Sequence, residues 1–89
     1  MVVQIRITYC GAWGYRPKVQ TFRDRLTKEM GEGAMEFVIK GTPETTGLFE
    51  IEANGILVHS KKNGDGFIDS EDKFKKIVGA VKTICGGED

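Results

Sequence analysis

The feature that most constrains this chain is its opening: a strand, a loop, a helix and a second strand in unbroken succession. Val3, Ile5, Ile7 and Tyr9 alternate with Gln4, Arg6 and Thr8, the two-residue period of a strand with one apolar face. A tight loop follows, Cys10-Gly11-Ala12-Trp13-Gly14. Pro17 suits a first helical turn, where its missing N–H costs nothing. Val19, Phe22, Leu26 and Met30 then recur at helical spacing, with Arg23, Asp24 and Lys28 facing away, until Gly31 and Gly33 stop the helix. Met35, Phe37 and Ile39 alternate again, up to Gly41-Thr42-Pro43. Two strands joined by a crossover helix must lie parallel.

The rest of the chain supplies an antiparallel pair and one more helix. Phe49, Ile51 and Ala53 form a third alternating run, Asn54-Gly55 signals a type I′ hairpin turn, and a fourth strand covers Ile56 to Ser60. A regular two-residue hairpin pairs Ala53 with Ile56 and hence Glu50 with His59, so His59 is expected on the surface opposite Glu50. Asp69 or Ser70 caps a last helix, whose buried stripe is Phe74, Ile77, Val78, Val81 and Ile84, and Gly86-Gly87 ends it. Residues 1–89 read as one α/β domain of order β-α-β-β-β-α. A mixed four-stranded sheet in spatial order two-one-three-four carries both helices on one face. That is the minimal thioredoxin-like architecture.

Thirteen basic and thirteen acidic side chains balance. No net field draws the chain to nucleic acid or anionic lipid, and no window is long and apolar enough to span a membrane. The early Arg6 argues against an export signal, so a reducing cytosol is the expected compartment. Two cysteines and one histidine are too few for a closed zinc site. The run Lys61 to Asp72 imitates a calcium loop, but a cation occupies the first ligand position and a strand precedes it.

Chemistry concentrates in the loop after the first strand. A thiol near a helix N-terminus is favoured as thiolate, the nucleophile of disulfide exchange, and Arg16 and Lys18 add positive charge. Cys10 is then expected to be alkylated faster than Cys85, which reads as a partly buried structural residue. The alternative is that Cys10 is simply a small apolar residue closing a strand. Thr42-Pro43 precedes the third strand, with either peptide isomer open.

Three blocks in order, Tyr9-Cys10-Gly11-Ala12-Trp13-Gly14-Tyr15, Gly41 to Glu50 and His59 to Phe67, make the chain resemble the selenoprotein W family nearly end to end. In that family the position of Trp13 carries selenocysteine, or cysteine in some members. The codons for selenocysteine and tryptophan differ by one base, so Trp13 reads as a substitution or a translation of that codon. The resemblance implies a thiol/selenol antioxidant oxidoreductase with Cys10 and position 13 as the exchanging pair. Gly11, Ala12 and Gly14 form the redox loop, and glutathione or thioredoxin is the electron source, with no bound cofactor and a monomeric chain. With Trp13 in place, the pair is broken and reductase activity is expected to be lost. The alternative function is a redox-modulated binding module for a 14-3-3-type partner, docking through loops at Thr46 and Phe67. Trp13 is expected to be open to solvent and, where Tyr15 and Phe67 are exposed too, to join them in an apolar patch.

Overall fold

The computed structural model describes residues 2–11, 14–31 and 33–86, with the side chains of residues 85 and 86 outside that description. Its elements are β1 (Val3–Cys10), α1 (Arg16–Met30), β2 (Met35–Thr42), β3 (Phe49–Ala53), β4 (Ile56–Ser60) and α2 (Glu71–Gly86). The strands form one sheet in the order β2-β1-β3-β4. β1 is parallel to β2 and antiparallel to β3. This is the mixed thioredoxin-like sheet expected from the sequence.

The alternation in β1 decides where the helices sit. Val3, Ile5, Ile7 and Tyr9 are buried, while Gln4 and Arg6 are exposed. One face of the sheet is therefore covered and the other open. Val19, Phe22 and Leu26 of α1 and Phe74, Ile77, Val78 and Val81 of α2 join the β1 residues, Phe49, Ile51 and Ala53 in one core. Burial of each large aliphatic or aromatic side chain contributes about 1.5–3 kcal/mol. Phe22 of α1 meets Phe74 of α2 edge-on at 6.2 Å, which locks the two helices together over the sheet. Ile84 is partly buried against the same core, as its place in the stripe requires.

Local chemistry sets the boundaries. The turn between β3 and β4 has positive φ at both Asn54 (51°) and Gly55 (85°), as a type I′ turn demands. Asn54 also ties the hairpin to β1, because its Oδ1 accepts from the Gln4 amide at 2.9 Å. At the start of α2 it is Ser70 that caps. Its hydroxyl accepts from the Lys73 amide at 3.3 Å. Asp69 stands just outside and bridges to Lys73 at 3.1 Å, and that ammonium holds its carboxyl below the usual range. β2 runs to Thr42, through the Gly41-Thr42 pair expected to end it, because β1 offers a partner as far as Cys10. The described backbone has no cis peptide, so Thr42-Pro43 is trans. The expected helix stop at Gly87 lies outside the described residues.

One expectation about register is corrected. β3 and β4 pair Ala53 with Ile56 and Glu52 with Leu57, but then Ile51 with His59 and Glu50 with Ser60. Val58 is an extra residue on β4. A one-residue bulge reverses which face every following side chain meets. His59 therefore does not pair with Glu50 on the surface; it points into the covered face, 4% exposed.

Candidate functional site

Cys10 is the last residue of β1 and lies between two strands. It pairs with Thr42 of β2, and its amide donates to the Leu48 carbonyl at 2.8 Å. Its Sγ faces the Glu44 carbonyl at 3.8 Å, a weak thiol contact. The residue is 0% exposed. This burial is that of the alternative reading, a small residue closing a strand, and Cys85, the other half of the alkylation comparison, has its side chain outside the described residues.

The loop that follows is glycine-bound for steric reasons. A Cβ on Gly11 would lie 2.5 Å from the Thr42 carbonyl oxygen, so only glycine lets the chain pass the end of β2. Gly14 has φ of 68°, a backbone conformation that other L-residues adopt only at a cost. Both glycines are exposed. Ala12 and Trp13, including the expected exposure of the indole, lie outside the described residues. With Tyr9, Arg16, Gly41, Thr42 and Pro43, the two glycines line an open cleft of about 450 Å³.

Behind the loop stands an aromatic cluster. Tyr15, the residue before α1, is 5% exposed, so it does not join a surface patch. Its ring meets Phe67 edge-on at 4.9 Å and Phe49 at 6.1 Å. Burial pushes the Tyr15 phenol above its ordinary range, and negative charge on Cys10 pushes it further the same way. Phe67 is half-buried, with the Lys18 ammonium 5.2 Å and the Lys61 ammonium 5.6 Å from its ring centre. Thr46 is exposed, and its hydroxyl lies 2.9 Å from that of Thr42, fastening the 43–48 loop beside Cys10. Thr46, Gly47, Leu48, Lys61 and Lys62 border a second concavity of about 440 Å³. The structure thus brings the Cys10, Thr46 and Phe67 segments to one end of the molecule.

Sequence reasoning missed the fastening of the 61–66 loop. The His59 Nε2–H donates to the Gly66 carbonyl at 2.7 Å, and the ring packs on Phe49 at 5.7 Å. Since a carbonyl only accepts, Nε2 must carry the proton. The Ser60 hydroxyl donates to the Glu50 carboxylate, which also accepts from the Lys62 amide at 3.2 Å. The Ser60 amide donates to Asp65 Oδ2 at 2.9 Å, and the Asn63 amide to Ser60 Oγ at 3.1 Å. The spacing of Ser60, Asn63 and Asp65 is a turn signature that could have revealed this. No group of three His, Cys, Asp or Glu side chains able to hold a metal occurs among the described residues. No described helix is long and apolar enough to cross a membrane.

Comparison with known proteins agrees with this geometry. Residues 4–79 match the Rdx family. Selenoprotein W of Danio rerio is 48% identical over 86 residues, which is 97% of this chain and 99% of that protein. Selenoprotein W of Mus musculus is 46% identical over 82 residues, 92% of each chain. The crystal structure of a selenoprotein W-related protein from Vibrio cholerae matches with a TM-score of 0.76 and 26% identity, covering 96% of this chain and 99% of that one. The chain therefore belongs to the Rdx family, beside selenoprotein W.

Proposed function

We propose that this chain is a thioredoxin-like redox protein of the selenoprotein W type, with Cys10 as the interior member of the exchanging pair and position 13 as the outer one. The observation that carries the reading is the complete burial of Cys10 next to the exposed glycines Gly11 and Gly14. A buried thiol is poorly placed to attack a substrate, but well placed to resolve a bond formed on the loop that follows it. In this reading a thiolate or selenolate at position 13 attacks one sulfur of a substrate disulfide and expels the other as thiolate. The Cys10 thiolate then attacks the mixed bond, releases the second substrate thiolate and leaves the pair oxidised. Two electrons from glutathione or the thioredoxin system, in a reducing compartment such as the cytosol, restore it. Trp13 carries no sulfur or selenium, so the chain as written lacks the attacking group.

The test is glutathione-coupled reduction of a small disulfide, bis(2-hydroxyethyl) disulfide, followed by NADPH consumption through glutathione reductase. Trp13→Cys is expected to turn over, whereas the chain as written and the double variant Trp13→Cys/Cys10→Ser are not. Equal turnover by the chain as written would overturn the assignment of position 13.

A second reading has one observation in its favour. The concavity at Thr46 and Lys61 opens beside Phe67, offering a lysine-rimmed surface to a protein partner of the 14-3-3 type. In that reading Cys10→Ser leaves partner binding intact.

A further inference from the structure

A four-stranded open sheet has two edges, and this chain treats them differently. β4 is five residues long, carries the Val58 bulge, and runs directly into Lys61 and Lys62. A short strand, a bulge and edge lysines are the usual devices against unwanted strand pairing. β2, the other edge, is eight residues long and keeps one unbroken register with β1 from Val3↔Met35 to Cys10↔Thr42. It contains neither proline nor bulge, and its middle presents two large apolar side chains to solvent, Val38 at 39% and Ile39 at 40% exposure.

The sequence of this edge is self-complementary. Register with β1 places Glu36, Val38 and Lys40 on the open face, beside Gln4, Arg6 and Thr8. It places Phe37 and Ile39 on the helix face, beside Ile5 and Ile7. An antiparallel copy of the strand, related by a two-fold axis through Val38, sets Glu36 opposite the second copy's Lys40 and Lys40 opposite its Glu36. On the other face Phe37 meets Ile39 of the second copy, and the reverse. From residue 36 to residue 40 each cross-strand pair is then of opposite charge or apolar with apolar, the combinations that stabilise antiparallel neighbours. Moving the axis by one residue in either direction, to Phe37 or Ile39, sets Val38 opposite Glu36 or opposite Lys40 and loses both ion pairs.

We propose that the outer edge of β2 pairs with the same edge of a second copy of this chain, joining two sheets into one of eight strands. The contact is isologous, so it closes at two copies. It departs from the monomer expected of the sequence. One strand pair is a small interface, so the association is weak and concentration-dependent.

Sedimentation equilibrium of the full chain from micromolar to millimolar concentration tests this, with concentration-dependent backbone amide shifts locating the contact. The expected result is a rise in average mass toward the dimer, with shifts centred on residues 36–40. Lys40→Glu and Glu36→Lys should each weaken the dimer about tenfold or more, because the symmetry turns two attractive pairs into two repulsive ones. The double exchange Glu36→Lys/Lys40→Glu should restore it. Both positions are exposed, and far-UV circular dichroism verifies that each variant is folded. A chain that stays monomeric throughout, shifts centred on β4 instead, or a dimer indifferent to the single reversals would overturn the proposal.

Discussion

Gly11 and Gly14 flank the same loop but restrict it in different ways. Gly11→Ala drives a methyl group against the Thr42 carbonyl, so β1 and β2 must part, at a cost of about 1–3 kcal/mol. At Gly14 nothing lies within 4 Å of an added Cβ, and Gly14→Ala costs only the strain of its positive φ, about 1–2 kcal/mol. Urea titration gives both costs, and only Gly11→Ala should shift the Thr42 amide. His59→Ala leaves the Gly66 carbonyl without its donor and is expected to lose about 1–3 kcal/mol by the same measurement. Tyr15 supplies a pH test. Its phenol is held protonated by burial and by charge on Cys10, so in Tyr9→Phe the remaining tyrosine should titrate above the ordinary phenol range. Cys10→Ser should bring that midpoint down. The associated stability is present below the unfolded phenol value and fades as pH rises through the folded one.

Each secondary-structure element is specified by a few residues, and most of them are local. Ser70→Ala removes the cap of α2 and should cost about 0.5–2 kcal/mol in thermal or urea unfolding. The same locality explains how much of the fold was legible. Two-residue alternation, the stripe Val19-Phe22-Leu26 and the Asn54-Gly55 turn each act over a few neighbouring positions. They fixed the element order, the parallel and antiparallel pairs and the strand order. The Val58 bulge has no such local signal. It arises where β4 must turn into the 61–66 loop with Ser60 bonded to Glu50 and Asp65, a demand set by residues on both sides of the strand. Missing one residue there reversed His59. The convergence of the Cys10, Thr46 and Phe67 segments was legible, because the strand order and directions alone bring them to one end of the sheet. The depth of Cys10 was not, because it depends on the 43–48 loop folding over the end of β1.

At the scale of the molecule, the two ends of the sheet carry different tasks. The loops after β1, after β2 and after β4 gather at one end, around the fully buried thiol of Cys10. The Asn54-Gly55 hairpin closes the other end against β1. The account rests on Cys10 being the inner half of a pair whose outer half belongs at position 13, and Trp13→Cys isolates that claim. The variant is oxidised with glutathione disulfide, each equivalent accepting two electrons as the new bond forms, and its disulfide is located by peptide mapping under non-reducing conditions. The predicted result is a single intramolecular bond from Cys10 to the introduced thiol, with Cys85 still open to alkylation after unfolding. A bond to Cys85, or glutathione left attached at position 13 with Cys10 still a thiol, would contradict the account.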